Sequence, residues 1–389
     1  MINYENILSD KVQSIAPSGI RKFFDLTEKM GDVTALTVGQ PDFVTPWHIR
    51  EAAIESLKKG RTYYTSNAGL TPLREQICEY MERRFALKYD AKTEALVTVG
   101  GSEAIDLAIR AVVRNGDEVI VPEPCFVCYA PIVTMAGGIP DKLPLRYEDK
   151  FKLTPEFLKS VISEKTKLLI LAFPNNPTGA IMTKEDLLPI ADILRNTDIL
   201  VLSDEIYAEL TYGRKHCSIA SLEGMRERTI IASGFSKAYA MTGWRMGYTL
   251  APAPITEQMY KIHQYAIMCA PTTSQFAAIE ALANGDDDIE YMREEYDQRR
   301  RLILEGFRSI GLDCFVPEGA FYAFPNIGKF GMSSDDFCMK LLEKKRVAIV
   351  PGTAFGESGE GFARISYAYS VKHINTAIEK MGEFIKELK

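Results

Sequence analysis

The segment from residue 167 to residue 179, KLLILAFPNNPTG, places a short apolar run directly before a cluster of turn-forming residues. An uninterrupted apolar run of this length is typical of a strand that is buried on both faces of a parallel sheet. Proline, asparagine and glycine are typical of the turn that follows such a strand. A membrane span would need about 18–20 apolar residues, so the segment predicts a strand and not a span.

Similar strand-like runs alternate with helix-like stretches between about residues 95 and 250. Between residues 104 and 112, for example, apolar residues recur with helical spacing, and Asn115-Gly116 then provides a stop signal. This alternation predicts an α/β fold with a mostly parallel central sheet covered by helices. The predicted strands are Ala95–Val99, Glu118–Val121, Lys167–Phe173, Ile199–Ser203, Thr229–Ala232 and Gly247–Leu250.

The C-terminal part of the chain predicts a second, smaller α+β domain. After a helix at Gln275–Asn284, the segment Asp286–Ile289, with three consecutive aspartates, suggests a polar break before a charged helix at Tyr291–Ile310. We predict an N-terminal segment at 1–45 associated with the small domain, a large domain at 46–285 and the small domain at 286–389. The predicted elements of the small domain are strands at Phe321–Phe324, Val347–Val350 and Ala363–Tyr367 and a final helix at Val371–Leu388.

The charge and composition of the chain favour a small-molecule partner. Its 389 residues carry a formal net charge of −6, which disfavours binding to nucleic acid or to anionic lipid. With no apolar segment long enough for a membrane span and no signal-peptide pattern at the N-terminus, we expect a cytoplasmic protein without a membrane partner.

The seven cysteines are spread along the chain and do not resemble a secreted disulfide framework. Cys125 and Cys128 form a CxxC pair, but no second CxxC or CxxH follows to complete a metal site. We therefore expect reduced thiols and no metal.

Polar residues of distinctive type follow several of the predicted strands. The carboxyl ends of parallel strands meet at one edge of a sheet, where α/β proteins bind their ligands, so these residues are expected to converge. A glycine-containing turn that opens a helix also suits a phosphate group. The residues are Gly100-Gly101-Ser102, the loop 174–179, Asp204, Glu205 and Tyr207, and finally Lys237 and Arg245.

Taken in order, the motifs GGS, PNNPTG, SDEIY, SGFSKAYAMTGWRMGY, GAFY and FARIS resemble those of the fold-type I aminotransferases that use pyridoxal 5′-phosphate (PLP). The resemblance is to the class I/II aspartate and aromatic aminotransferase group. It extends from TVGQPDF at 37–43 to FARISYAY at 362–369, which is nearly the whole chain. It implies a large PLP-binding domain, a smaller α+β domain and a homodimer with shared active sites.

The resemblance also implies roles for residues around the ring of the cofactor. Lys237 corresponds to the Schiff-base lysine that later moves a proton between Cα of the substrate and C4′ of the cofactor. Asp204 corresponds to the partner of the pyridine nitrogen, and Asn176 and Tyr207 to the donors to the 3′-oxygen. Phe126 corresponds to the aromatic residue that stacks on the ring.

Other implied roles concern the phosphate group and the substrate. Arg245 corresponds to the phosphate-binding arginine, with Gly101, Ser102 and Ser236 as neighbours and with Tyr64 contributed to the partner subunit's cofactor. Arg364 corresponds to the arginine that binds the substrate α-carboxylate, beside Asn176 and the segment of Gly39. Many relatives have serine or threonine where this chain has Gly234, so one phosphate contact is expected to come from Ser236 or Ser233 instead.

Three functions are consistent with these residues. The first is exchange of an amino group between an L-α-amino acid and a 2-oxo acid such as 2-oxoglutarate, by a ping-pong route, with aromatic, aspartate or broad preference. The second is a carbon–sulfur β-lyase or other carbanion chemistry on the same scaffold. The third is a PLP-sensing regulatory module, which is disfavoured because no basic DNA-binding extension is present.

Overall fold

The apolar runs form a seven-stranded sheet in the computed structural model, which describes residues 2, 4–17, 19 and 30–388. The order of the strands across this sheet is β2-β8-β7-β6-β5-β3-β4. The predicted α/β fold with a mostly parallel sheet is confirmed. The strands are β1 (Thr34–Ala35), β2 (Ala95–Thr98), β3 (Glu118–Glu123), β4 (Ile139–Pro144), β5 (Thr166–Ala172), β6 (Leu200–Asp204), β7 (Thr229–Gly234), β8 (Gly247–Leu250), β9 (Tyr322–Ala323), β10 (Val347–Ala348), β11 (Val350–Pro351) and β12 (Ala363–Ser366).

Helices cover both faces of the sheet, as the side chains of β5 illustrate. Leu168 and Ile170 pack into an apolar cluster with residues of α4, α5 and α8, whereas the alternate residues Leu169 and Leu171 pack with residues of α7. The described helices are α1 (Asp10–Gln13), α2 (Trp47–Lys58), α3 (Thr71–Phe85), α4 (Gly100–Val112), α5 (Tyr129–Ala136), α6 (Pro155–Val161), α7 (Lys184–Arg195), α8 (Ala253–Ala266), α9 (Thr272–Asn284), α10 (Asp286–Ser309), α11 (Ser334–Lys345) and α12 (Val371–Glu387). None of the helices described is long and apolar enough to cross a membrane.

The direction of β8 is a feature that the sequence did not reveal. β7, β6, β5, β3 and β4 run parallel to one another, but β8 runs antiparallel to both β2 and β7. Gly247, the first residue of β8, pairs with Thr98 and Gly234 near the carboxyl ends of β2 and β7. The reversal therefore brings Arg245 to the same edge of the sheet as Asp204, the last residue of β6.

One strand was missed and one prediction of local structure was wrong. The missed strand is β4, which contains Pro140 and Pro144 and lies at an edge of the sheet, where the loss of backbone donors at proline is tolerated. The predicted polar break at Asp286–Ile289 is instead the first turn of α10. Acidic side chains are favourable there because the amino end of a helix carries partial positive charge.

The C-terminal part contains further short strands and its own apolar cluster. β9, β12 and β11 form a three-stranded antiparallel sheet, and β1 pairs in parallel with β10. The segment after residue 30 thus contacts the C-terminal part through backbone hydrogen bonds. The domain boundaries at residues 45/46 and 285/286 stay predictions. Large fully buried members of the apolar cluster include Tyr296, Phe307, Phe321, Phe337 and Tyr367.

Replacement of Gly247 by alanine tests how closely β8 approaches α4. A Cβ atom at this position would lie 2.5 Å from the carbonyl carbon of Gly100 and 2.8 Å from the nitrogen of Gly101. Because both neighbours are backbone atoms, we expect Gly247→Ala to lower the free energy of unfolding by about 1–3 kcal/mol in denaturant titrations. Gly243→Ala is the matched control, since no described atom lies within 4 Å of its Cβ position. Equal stability of the two variants would contradict the prediction.

Candidate active site

A cavity of about 360 Å³ lies at the carboxyl edge of the sheet. Nearly all of the residues that the sequence analysis selected line this cavity, although they are scattered over more than 300 positions. Among the residues with an implied role, Tyr64 is the exception, because it is 77% exposed and does not line the cavity. Gly100 and Glu205, which were selected only for their position after a strand, do not line it either, and Glu205 Oε1 instead accepts from the hydroxyls of Ser203 and Ser218. The selected residues that line it are Gly39, Gly101, Ser102, Phe126, Asn176, Asp204, Tyr207, Ser236, Lys237, Arg245 and Arg364.

Lys237 reaches the cavity from the turn that follows β7. Its Nζ donates a hydrogen bond to the carbonyl oxygen of Gly39, at 2.6 Å. Burial lowers the pKa of Lys237 to about 8, and the guanidinium groups of Arg364 and Arg245 act in the same direction. The carboxylate of Asp204 acts in the opposite direction. A large fraction of the Lys237 side chains is therefore a neutral amine, which is nucleophilic, near pH 8.

Asp204 is held at the end of β6 by two hydrogen bonds. The hydroxyl of Tyr129 donates to Oδ2 at 2.6 Å, and the backbone N–H of Ile206 donates to Oδ1 at 3.1 Å. Burial raises the pKa of the Asp204 carboxyl, and the hydrogen bonds only partly oppose that effect. A buried carboxylate of this kind favours a cationic or proton-donating ligand.

Tyr129 was not selected from the sequence. It begins α5, three residues after Phe126, and its ring lies 6.2 Å from the Phe126 ring in an edge-to-face arrangement. Its position three residues after Phe126 was the available signal. Its pairing with Asp204, 75 residues away, is a tertiary contact that the sequence does not encode locally.

Arg364 is buried on β12 and forms no ion pair with a described residue. One guanidinium nitrogen donates to Asn176 Oδ1 at 3.0 Å, and another donates to the carbonyl oxygen of Thr37. The Nε atom is buried and has no hydrogen-bond partner in the described part of the chain. The guanidinium also lies 4.6 Å from the centre of the Tyr322 ring. Burial lowers the pKa of Arg364, because the cation has lost water without gaining an anion.

Tyr322 connects Arg364 to Tyr207. Its hydroxyl lies 2.7 Å from the hydroxyl of Tyr207, so the two groups share a hydrogen bond. Tyr322 belongs to the motif GAFY but was not among the predicted site residues. The two tyrosines are 115 positions apart in the sequence, which explains why the contact could not be anticipated.

Arg245 and the first turn of α4 form the opposite end of the cavity. Arg245 adopts a left-handed backbone conformation, with φ of 50°, and its guanidinium donates to the carbonyl oxygen of Thr242 at 3.0 Å. Gly100 has φ of 75°, and a Cβ atom there would lie 2.6 Å from a guanidinium nitrogen of Arg245. The absence of a side chain at Gly100 thus lets the guanidinium pack against the start of the helix, where unpaired backbone N–H groups favour an anion.

Gly234 stands where many members of the resembled family have serine or threonine, and the structure explains this difference. A Cβ atom on Gly234 would lie 2.8 Å from the carbonyl oxygen of Met246 and 2.9 Å from Cα of Gly247. A serine or threonine cannot fit there without moving β8. Of the two hydroxyl groups considered as substitutes, Ser236 lines the cavity, whereas Ser233 does not and donates to the carbonyl oxygen of Glu205 at 3.3 Å.

Asn176 is positioned by a loop that its neighbour Asn175 fixes. The Oδ1 atom of Asn175 accepts from the backbone N–H of Thr178 at 3.1 Å and from its hydroxyl at 2.8 Å. The side-chain nitrogen of Asn175 donates to the carbonyl oxygens of Pro124 and Ala172. The side chain of Asn175 thereby fixes the loop internally and to the residues around it, and Asn176 faces the cavity.

The charges around the cavity are unbalanced. Among the described residues, three cations (Lys237, Arg245 and Arg364) and one carboxylate (Asp204) line it. This arrangement suits a ligand set with two anionic groups and one proton-bearing nitrogen. No group of histidine, cysteine, aspartate or glutamate side chains in the described ranges could hold a metal ion.

The fold and the cavity together define an α/β protein with a buried lysine in an anion-binding site. Residues 31–381 match the family "Aminotransferase class I and II", and the chain belongs to this family. A Bacillus subtilis protein named "Putative aminotransferase YugH" is 53% identical over 97% of this chain and 98% of its own length. The aspartate aminotransferase of Pyrococcus abyssi is 44% identical over 98% of this chain and 99% of its own length.

Among solved structures, the aromatic aminotransferase from Pyrococcus horikoshii OT3 is similar, with a TM-score of 0.90 and 45% identity. That similarity covers 94% of this chain and 99% of the other. The chain is therefore an aminotransferase that depends on PLP, which confirms the enzyme class and the cofactor that the motifs implied.

The pKa of Lys237 predicts a distinctive pH dependence for the cofactor-free protein. Because only the neutral amine reacts, reductive methylation of Lys237 should increase as the pH rises, with a midpoint of about 8. Exposed lysines should reach their midpoint near the ordinary value of about 10.4. Peptide mass spectrometry measures both groups of lysines in one sample.

The sign of the shift also predicts a change in stability. Since the unfolded chain holds the Lys237 proton up to about pH 10.4, the contribution of Lys237 to stability should increase from about pH 8 to about pH 10.4. Arg364→Gln removes a neighbouring cation and should move the methylation midpoint upward. An unchanged midpoint in this variant, or a wild-type midpoint near 10.4, would contradict the prediction.

Proposed function

We propose that this aminotransferase exchanges an amino group between an L-α-amino acid and a 2-oxo acid in two half-reactions at the cavity described above. The observation that carries the proposal is the convergence of Lys237, Arg245 and Arg364 with Asp204 around a single cavity. Arg245 and Arg364 match the phosphate and the carboxylate of the expected ligands, and Asp204 matches the pyridine nitrogen. The lysine, with its lowered pKa, supplies the nucleophile.

The residues around Lys237 and Asp204 fit the reactive part of PLP. When bound, PLP accepts the electrons that Cα of the amino acid releases as it loses its proton. Asp204 would pair with the pyridine nitrogen as a carboxylate and keep it protonated, because a buried negative charge favours a cation beside it. Lys237 would bind the cofactor covalently and, after displacement by the amino acid, move the proton between Cα and C4′. Its low pKa permits both roles near neutral pH.

The remaining side chains fit the other groups of the cofactor. Arg245, together with the first turn of α4 and the Ser236 hydroxyl, would hold the phosphate. The hydroxyl of Tyr207 and the amide of Asn176 would donate to the 3′-oxygen, and Phe126 would stack on the ring.

The phosphate site has two further residues in the first turn of α4. Ser102 would add a hydroxyl to this site. Gly101 beside it leaves room for the phosphate, because the nearest atom to a Cβ on Gly101 would be 3.7 Å away, on Ile206.

We propose that Arg364 binds the α-carboxylate of the substrate. Its guanidinium is buried, forms no ion pair with a described residue and has a free Nε donor, so an anionic ligand would satisfy a group that is costly to leave unpaired. Gly39 lies beside it, with its Cβ position 2.6 Å from the Tyr322 hydroxyl and 3.8 Å from the Arg364 guanidinium. A side chain at residue 39 would therefore crowd the carboxylate site.

The amino-acid preference is proposed only as a range. Relatives of similar identity are named as an aspartate aminotransferase and as an aromatic aminotransferase. We propose that the substrate belongs to this range of acidic and aromatic amino acids, with 2-oxoglutarate as an acceptor. The cavity wall also contains apolar side chains, Val38, Ile105 and Ile206, which suit an uncharged side chain.

We further propose that the chain acts as a cytoplasmic homodimer with shared active sites and with the domain boundaries given above. The support for a dimer is an exposed apolar patch formed by Tyr63, Tyr64, Tyr265, Ile267 and Met268. Thr272 Oγ1 donates to the carbonyl oxygen of Tyr63 at 2.7 Å, so the segments that carry these residues are adjacent. Large exposed apolar patches mark interaction sites, and Tyr64 would reach the phosphate in the partner subunit.

Borohydride trapping tests the proposed role of Lys237. Reduction of the holoenzyme should leave a phosphopyridoxyl group on the peptide that contains Lys237, because the reduced carbon–nitrogen bond cannot hydrolyse. Lys237→Ala should abolish the adduct and lower kcat by several orders of magnitude. Tryptic mapping by mass spectrometry and transamination assays with 2-oxoglutarate measure these effects. An adduct at another lysine in the wild type would show that the nucleophile is misassigned.

Sedimentation velocity tests the proposed dimer. The wild type should sediment as a dimer at micromolar concentration, and Tyr265→Glu should shift it toward the monomer, because it places a charge on a side chain that is 88% exposed within the patch. Val316→Glu is the matched control, since Val316 is also exposed but lies outside the patch. A monomeric wild type, or equal dissociation of both variants, would contradict the proposal.

A further inference from the structure

We propose that His263 is a positioning residue that keeps the carboxylate of Glu103 away from the phosphate end of the cavity. The inference rests on the proposed function, because it assumes that the first turn of α4 holds the phosphate of PLP. It concerns a buried pair of titratable side chains that the reaction itself does not use. Neither Glu103 nor His263 lines the cavity.

The two side chains form a hydrogen-bonded pair behind the start of α4. Glu103 lies in the first turn of α4, directly after Gly101 and Ser102, which do line the cavity. Its Oε1 atom is 2.7 Å from Nδ1 of His263, and its Oε2 atom accepts from the backbone N–H of Val99. His263 is fully buried on α8, and the side chain of Glu103 is 11% exposed. Both carboxylate oxygens are therefore engaged on the side away from the cavity.

The contact with Val99 is one half of a capping box whose other half is missing. Residue 99 precedes the first residue of α4, where serine, threonine, asparagine or aspartate usually supplies a side-chain oxygen, and a valine has none. Glu103 bonds back to the N–H of this residue, as the glutamate of a capping box does. The backbone N–H groups of the first turn receive no side-chain cap from residue 99 and are left for an outside anion.

An acidic side chain in the first turn of a helix is also a potential competitor for that anion site. Carboxylates are stabilised by the N–H groups and by the positive end of the helix dipole, which are the same features that favour a phosphate. Without its partner, the carboxylate of Glu103 could rotate toward the first turn and oppose the phosphate with its charge. The hydrogen bond from His263 removes this freedom, because it fixes the second carboxylate oxygen.

The geometry of His263 supports this role. Its ring is 0% exposed, and its Nε2 atom has no hydrogen-bond partner in the part of the chain that the structure describes. Burial of a polar ring with one unsatisfied nitrogen costs free energy. The hydrogen bond between Nδ1 and Glu103 is the polar interaction that the described residues offer this ring.

The test compares the affinity of each cofactor-free variant for PLP and for pyridoxal, which lacks the phosphate. In His263→Ala, the dissociation constant for PLP should rise about tenfold or more, while that for pyridoxal should change less than about twofold.

Two further variants test whether the lost hydrogen bond is the cause. His263→Asn should retain most of the wild-type PLP affinity, since its amide nitrogen can donate to Glu103. Adding Glu103→Gln to His263→Ala should also restore it, because the competing charge is gone. Cofactor absorbance titrations measure both constants.

A matched control distinguishes positioning from a general loss of packing. Met259→Ala removes a fully buried side chain one turn earlier on α8 and should leave the ratio of the two dissociation constants unchanged. If His263→Ala does not fold, His263→Phe fills the site without a donor and should show the same loss that is specific to PLP.

Equal weakening of PLP and pyridoxal in the His263 variants, or no weakening of either, would overturn the proposal. No recovery in the Glu103→Gln double variant would overturn it as well. A wild type that binds pyridoxal as tightly as PLP would instead refute the phosphate site itself, and the inference with it. The wild-type measurement therefore separates a failure of the proposed function from a failure of the proposed positioning role.

Discussion

The burial of positive charge without a matching negative charge is the constraint on which the site depends. Lys237 and Arg364 both face the cavity away from bulk water, and Arg245 faces its other end, whereas Asp204 is the only described carboxylate in the wall. Transfer of a cation from water to a protein interior is costly unless an anion compensates it. The protein carries this cost in its cofactor-free form, so anionic ligands bring both recognition and stability when they bind.

The topology of the sheet makes this concentration of charge feasible. Asp204 ends a parallel strand, Lys237 follows the next one, and Arg245 reaches the same edge because β8 is reversed. The reversed strand needs close backbone contact with its neighbours, and Gly234 and Gly247 provide it, since a Cβ atom on either would meet backbone atoms. The same closeness excludes a hydroxyl side chain at residue 234. The departure from the family pattern is thus a consequence of how β8 packs.

Much of the fold and of the site could be predicted because the information is local. Apolar runs predicted six of the seven strands of the central sheet, and the residues that follow these strands include Asp204, Lys237 and Arg245. The sequence did not reveal the direction of β8, the edge strand β4 or the partners Tyr129 and Tyr322. These depend on contacts between distant segments: Tyr129 with Asp204 across 75 positions and Tyr322 with Tyr207 across 115.

Tyr322 has a consequence for how the enzyme could evolve. Its ring packs against the guanidinium of Arg364, and its hydroxyl is bonded to Tyr207, so one side chain contacts both the proposed carboxylate site and the proposed tuning group of the cofactor. A mutation that reshapes the substrate end of the cavity through Tyr322 also alters the surroundings of Tyr207. Selection for a new substrate through this residue would therefore act on reaction chemistry as well. Substitutions in parts of the cavity wall that do not contact Tyr207 would change substrate specificity without this side effect.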